Sequence, residues 1–290
     1  MRRRLDVVRF WWLTPALGHE WRRYKGIQRL RPLSGGPWWD SNAKGGAWAY
    51  TPPPGLFRKF AQLKLSDDAT REAGILAFAN EYGDILAEPQ EGRMTIADHA
   101  PWGEKAFKHA PIGTWYRAIH HMRRTVELWD QINDPHRCGE LNQFINRNKG
   151  AITYKRVEDT LENGKRKRRT ENILIAKGKD VAAYPAPDAV RPARLVLQLE
   201  IRRALADTET PSHTIPTLTP EMALLLSPTN LLAYMWLSFA RVVSGEIEER
   251  PCEMFRRCGN HVYIARGLRR RDRHVTCSAK CRKRKSRDMK

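Results

Sequence analysis

Residues 252–290 read CEMFRRCGNHVYIARGLRRRDRHVTCSAKCRKRKSRDMK and hold four of the chain's five cysteines. They fall in two close pairs, Cys252-x5-Cys258 and Cys277-x3-Cys281, separated by eighteen residues. Thiolates at such spacing suit a tetrahedral ion gripped by two short knuckles. The expectation is one structural Zn2+ held by Cys252, Cys258, Cys277 and Cys281, with His261 or His274 in place of one thiolate as the main variant. Gly259 permits the tight turn that a knuckle requires. Val262-Tyr263-Ile264 reads as a short strand, with His274-Val275-Thr276 returning toward the metal. Ser278 stands where the last helix begins, and the N–H groups of a helix start favour thiolates. Knuckle, hairpin and helix in that order give the layout of a treble clef.

The same segment is strongly basic. Residues 250–290 carry 15 Lys and Arg against 3 Asp and Glu, so they supply +12 of the chain's formal +20. A field that concentrated attracts phosphates. Arg266, Arg269, Arg270, Arg271 and Arg273 on the predicted hairpin, with Lys280, Arg282, Lys283, Arg284, Lys285 and Arg287 on the helix, are the candidate nucleic-acid contacts. The helix has almost no apolar face, which argues against insertion into a membrane. So short and charged a helix is marginal alone. Zinc binding, worth about 10–16 kcal/mol in small fingers, is what can hold it.

Outward from this module, the 290 residues leave room for a sizeable core, and 41% hydrophobic with 29% charged residues describes a globular chain. Clustered cysteine pairs with Cys138 alone fit a reducing compartment, and Asp6 and Arg9 break what would be a signal-peptide core, so the expected location is cytoplasmic. Residues 1–55 hold six of the ten tryptophans and end in Pro52-Pro53-Pro54-Gly55; they read as an irregular strap lying over the core. Residues 56–245 read as a mostly helical body. Ser66 is the expected cap of a helix with Ile75, Leu76, Ala79 and Tyr82 inward and Gly83 at its end. Trp115, Ile119, Met122, Val126 and Trp129 recur at helical spacing and form one buried seam over 114–132. His120 and His121 are boundary histidines, and a short helix is expected over 140–147.

Residues 151–176 predict a β-hairpin turning at Asn163-Gly164. Its tip carries Lys165, Arg166, Lys167, Arg168 and Arg169, a second candidate basic site. Helices follow over 193–206 and from Ser227-Pro228 to Gly245, with extended pieces at 214–218 and 222–226 between them. Residues 246–250 form a spacer too short to leave the module freely tethered, so it is expected to dock on the preceding helix. The fold class is thus mainly α with small β-hairpins (α+β), a helical body carrying a treble-clef-like zinc finger at 250–290.

The paired cysteines, the Arg-rich middle, Cys277-Ser278-x-x-Cys281 and the basic helix behind it resemble bacterial proteins ending in a CGNR-type zinc finger. Many of these carry a helical domain, called ABATE, in front. Leu56–Leu86 and Leu231–Gly245 look more loosely like segments of such proteins. Here Cys258-Gly259-Asn260-His261 lies in the first pair, whereas the family's Cys-Gly-Asn-Arg belongs to its second. The resemblance implies DNA binding, with DNA favoured over RNA, and transcriptional regulation. A protein-interaction module built on a structural zinc is the alternative, followed by a treble-clef nuclease. No His-Glu-x-x-His, P-loop or nucleophile elbow occurs, so no enzymatic activity is expected.

Overall fold

The computed structural model describes residues 12–15, 19–24, 27–32, 47–86, 111–148, 150–162, 165–206, 214–218, 224–228, 230–265 and 276–288. Two antiparallel pairs come first: β1 (Trp12–Pro15) with β4 (Ala47–Tyr50), and β2 (His19–Tyr24) with β3 (Ile27–Pro32). Where it is described, the tryptophan-rich start is therefore strand pairs and not an irregular strap. It does lie on the core. Leu30 is fully buried, and the Trp21 Nε1 donates to the Glu72 carbonyl at 3.1 Å. Trp11, Trp38 and Trp39 lie outside the described residues.

The body is helical. α1 (Leu56–Ala61) follows the proline run and buries Leu56, Phe57 and Phe60. α2 (Asp68–Tyr82) is capped by Asp67, whose carboxylate accepts from the Thr70 N–H at 2.8 Å. Ser66, the expected cap, instead donates its hydroxyl to Asp67. A carboxylate combines the capping bond with favourable charge at the positive helix end, which a serine hydroxyl does not. Phe78 joins Ile75, Ala79 and Tyr82 on the buried face, while Leu76 is only partly covered.

α3 (Ile112–Asn133) is the central rod. Its predicted seam is buried at Trp115, Ile119, Met122 and Val126, with Trp129 partly exposed. Phe60, Phe78 and Trp115 pack with ring centroids 5.3–6.1 Å apart, joining α1, α2 and α3. α4 (Val190–Ala206) and α5 (Leu231–Val243) close the core from the other side. The α5 cap is Asn230, accepting from the Ala233 N–H at 2.8 Å, and not Ser227-Pro228. Those two residues complete β9 (Leu224–Pro228), which pairs with β8 (Thr214–Leu218), so the chain stays extended past the proline. No helix among the described residues is long and apolar enough to cross a membrane.

The predicted short helix at 140–147 is a 3-10 turn over Cys138–Gln143 that passes into β5 (Ile145–Asn148). From β5 the Arg147 guanidinium donates to the carbonyls of Tyr184 and Asp188 at 2.6 and 2.7 Å, an extended reach that a helical Arg147 would lose. The hairpin forms as expected: β6 (Ala151–Glu162) and β7 (Lys165–Lys177) are antiparallel, with Glu162 opposite Lys165, and β5 adds a third strand. Residues 163–164 lie outside the described residues.

Between α3, α4 and β6 sits a buried ion cluster. Glu200 and Arg156 are each 4% exposed and meet at 3.1 Å. His121 Nε2 lies 2.7 Å from the Glu200 carboxylate, Arg124 lies 3.8 Å from it, and Arg156 also reaches Glu171. His120 faces Asp159 at 3.9 Å, so both histidines sit at the body's boundary beside a carboxylate. Burial alone would raise the Glu200 carboxyl. The His121 hydrogen bond and the charges of His121, Arg124 and Arg156 outweigh it and hold it at about 2, against an ordinary 4.5. A depressed carboxyl contributes stability above pH 4.5 and loses it as pH falls toward 2. Glu200→Gln should therefore destabilise the protein by about 3 kcal/mol or more at neutral pH, leaving buried cations uncompensated. It should also flatten the acid limb between pH 4.5 and 2. Urea unfolding of both proteins across this range reads each effect.

Candidate metal centre and basic helix

The cysteine module starts earlier than its first cysteine. Residues read as a spacer form β10 (Ile247–Pro251), which pairs antiparallel with β11 (His261–Ala265), Pro251 facing His261 and Ile247 facing Ala265. The predicted partner of the Val262-Tyr263-Ile264 strand was 274–276; β10 takes that place, and His274 and Val275 lie outside the described residues. Alternation explains the strand, since Ile247 is buried while Glu248 and Arg250 are exposed. The knuckle joins the two strands. The Cys252 N–H donates to the Asn260 carbonyl at 2.9 Å, and α6 (Phe255–Cys258) is a single helical turn. Gly259, at φ 63°, closes that turn in the left-handed region, which only glycine adopts without strain. The five-residue spacing of the first pair is the length of this turn.

α7 (Ala279–Asp288) carries the last ligand. The Ser278 hydroxyl oxygen accepts from the Cys281 N–H at 3.2 Å, capping the helix and turning Cys281 inward. The four sulfurs of Cys252, Cys258, Cys277 and Cys281 lie within 4.8 Å of one another. Sγ–Sγ distances of 3.5 Å (Cys277–Cys281) and 3.9 Å (Cys258–Cys277) bracket the edge of about 3.8 Å expected for four thiolates at about 2.3 Å from one ion. All five cysteines are free thiols. Backbone N–H groups of Met254 and Cys277 point at the Cys252 sulfur at 3.4 and 3.3 Å, donors that suit a thiolate. The four sulfurs are thus positioned to hold one metal ion.

Burial and the neighbouring thiols push Cys277 up to about 12, and burial raises Cys258. The Ser278 hydrogen bond and the Cys277 thiol lower Cys281. Four groups so close cannot all ionise unless a cation sits among them. His261 does not join the group. The His261 ring packs against Phe255, its Nδ1 is 4.0 Å from Glu249, and burial lowers its pKa. His274 lies outside the described residues.

The module docks through an ion pair that the sequence does not announce. The Arg58 guanidinium, on α1, donates two bonds to Asp130 at 2.8 and 3.0 Å, and binds Glu249 on β10 with both Nε and Nη2. The Tyr263 hydroxyl donates to the same Glu249 at 2.8 Å, and its ring meets Phe57 edge-on at 5.9 Å. Burial would lower Arg58 and raise Glu249, but their mutual charge and hydrogen bonds reverse both directions. Burial and Glu249 push the Tyr263 phenol well above its ordinary range. Gly55 lies under this ring, and an added Cβ would overlap it. Docking therefore engages α1 as well as α5, the helix expected to receive it.

The candidate phosphate contacts divide. Arg266, Arg269, Arg270, Arg271 and Arg273 lie outside the described residues. On α7, Lys285 is half-buried and tied to Glu253 at 2.9 Å. Lys280, Arg282, Lys283, Arg284 and Arg287 are exposed. At about 100° per residue, Lys280, Lys283, Arg284 and Arg287 share an arc of about 100°, facing about 130° away from Cys281 and Lys285. In the second basic site, Lys167, Arg168 and Arg169 are exposed, while the side chains of Lys165 and Arg166 lie outside the description. The register sets Glu162, Asp159 and Glu158 opposite Lys165, Arg168 and Arg169, and Arg168 pairs with Asp159 at 3.2 Å. Of the five consecutive cations, Arg168 is thus matched by a carboxylate across the hairpin. Sequence reasoning missed Glu253, whose signal was a lone carboxylate inside the first knuckle, and the Arg58–Glu249 contact, which left none.

In comparison with known proteins, no family model, no curated protein and no solved structure matches this chain.

Two outcomes follow from this geometry. Cys281→Ser should abolish the single equivalent of bound metal and unravel α7, while the α1–α5 core, with its own buried cluster, keeps its helicity. Metal analysis with hydrogen exchange separates the two parts. Gly55→Ala should displace Tyr263 and destabilise the docked module by about 1–3 kcal/mol. Faster amide exchange in β10 and β11 at unchanged metal content is its signature.

Proposed function

We propose that residues 247–288 form a structural-zinc module of the CGNR type that binds nucleic acid. Four soft thiolates in a tetrahedral set select zinc over the hard cations, and they leave no position open for water or substrate. The ion's role is therefore to hold shape, and the protein is a binding protein and not an enzyme. DNA is favoured over RNA, and regulation of transcription is the role that the resemblance in the cysteine pattern implies.

The observation that carries this reading is the basic face of α7. Lys280, Lys283, Arg284 and Arg287 stand exposed on one side, while Cys281 and Lys285 anchor the other. Such a face suits a phosphate backbone, whether of a single strand or a duplex. Charge reversal at Lys283, Arg284 and Arg287 together should abolish binding at physiological salt without loss of metal. Reversing one should lower the slope of log affinity against log salt by about 0.9. Fluorescence anisotropy with labelled oligonucleotides over a salt series measures both. Binding that ignores salt, or survives the triple reversal, would favour a protein partner instead.

A further inference from the structure

Among the described side chains, Phe255 is the only phenylalanine, tyrosine or tryptophan left exposed, at 39%. The module has an apolar centre in which to hide it. Cys252, Val262 and Cys281 are buried there, with Met254, Cys258, Ile264 and Cys277 packed around them. The neighbouring Met254 takes the inward position, and Phe255 is turned out. Burial of a phenylalanine is worth about 1.5–3 kcal/mol, so leaving it in water forgoes stability that a small module needs. One edge is held, since the His261 ring stands at 4.9 Å and 65° to it. Exposed Arg256 and Arg257 follow it on the same helical turn.

We propose that the first knuckle is a stacking platform for an unpaired base, so that the module takes single-stranded nucleic acid in preference to a duplex. This rests on the nucleic-acid reading of α7 and adds the ring to it. The two surfaces are held together by one ligand set. Cys258 ends the turn that carries Phe255, and its sulfur lies within 4.8 Å of that of Cys281 on α7. The Lys285–Glu253 pair locks α7 to the knuckle a second time. An exposed ring followed by two exposed arginines, on a knuckle held by the same ligand set as a basic helix, is the combination that tracks a single strand passing from one to the other. The cations follow the phosphates, and the ring takes the face of whichever base is presented. In a duplex both faces of an interior base are already stacked, so the ring would have to unstack a step to gain the same contact.

The test uses the full-length, metal-loaded chain and fluorescence anisotropy with oligothymidine, oligouridine and a mixed-sequence duplex, each about 12 nucleotides long, enough for one aromatic and basic platform. Wild type should bind at least one single strand more tightly than the duplex. Phe255→Ala should weaken that binding by about 10-fold, change duplex affinity less than about twofold, and be rescued by Phe255→Trp. Metal content should not change, and any fall in melting from the lost His261 contact should be reversed by Phe255→Trp. Equal or better binding of the duplex by wild type, or no effect of Phe255→Ala on the single strand, overturns the platform. If the Lys283, Arg284 and Arg287 reversal still abolishes binding in that case, the nucleic-acid reading stands without it. If no oligonucleotide binds wild type, the nucleic-acid reading itself falls.

Discussion

One guanidinium joins the two halves of this protein. Arg58 sits at the start of the helical body and binds Asp130 on α3 with one edge and Glu249 on β10 with the other. Arg58 and Glu249 are mostly buried while Asp130 is 36% exposed, so the Arg58–Glu249 bonds lie in the lower dielectric and the loss of either of those two members is the expensive one. Tyr263 supplies a further donor to Glu249 and rests against Phe57, so polar and apolar contacts fix one orientation together. The cysteine module is consequently not a bead on a string. Its hairpin shares Ile247 and Tyr263 with the main core, while its own centre consists of little more than ligand sulfurs and Val262.

That division explains what was legible in the sequence. The helices of the body bury stripes at 3.6-residue spacing, and α2, α3 and α4 fall close to where that spacing puts them. Asn163-Gly164 located the long hairpin, and the cysteine pairs located the metal site, because both signals are local. The errors concern competition or distance. Asp67 outcompetes Ser66, and Asn230 outcompetes Ser227, where two capping residues stand close together and either reads as the cap. β10 reads as a spacer in the sequence because three of its five residues are charged and its partner strand lies beyond a cysteine knuckle. The Arg58–Glu249 pair spans 191 residues and has no periodicity at all.

The buried cluster around Glu200 plays the corresponding part inside the body. His121, Arg124 and Arg156 come from α3 and β6, and one carboxylate of α4 answers all three. Replacing such a group by apolar residues is often neutral for stability, whereas removing one member is not. The cluster fixes how the three-stranded sheet sits on the helices, and that in turn sets where the long β6–β7 hairpin leaves the body. Along the outer part of that hairpin, carboxylates opposite the cations lower the field that the basic run alone would create.

α7 is the place where local physics and the observed structure disagree. Lys280 with Lys283 and Arg284, and Arg287 with the last two, are like charges at i, i+3 or i, i+4, each pair opposing the helix by a few tenths of a kcal/mol. No apolar stripe offsets them. What holds α7 is the Ser278 cap, the Cys281 sulfur in the ligand set and the Lys285–Glu253 pair, all on the side away from the repelling charges. A sequence that opposes its own local structure at one surface, and secures it from the other, is what the proposed polyanion-binding role would require. A polyanion laid along that face would relieve the repulsion and strengthen the helix it binds. Partner, helix and metal are then coupled, since whatever stabilises α7 also keeps Cys281 in the ligand set.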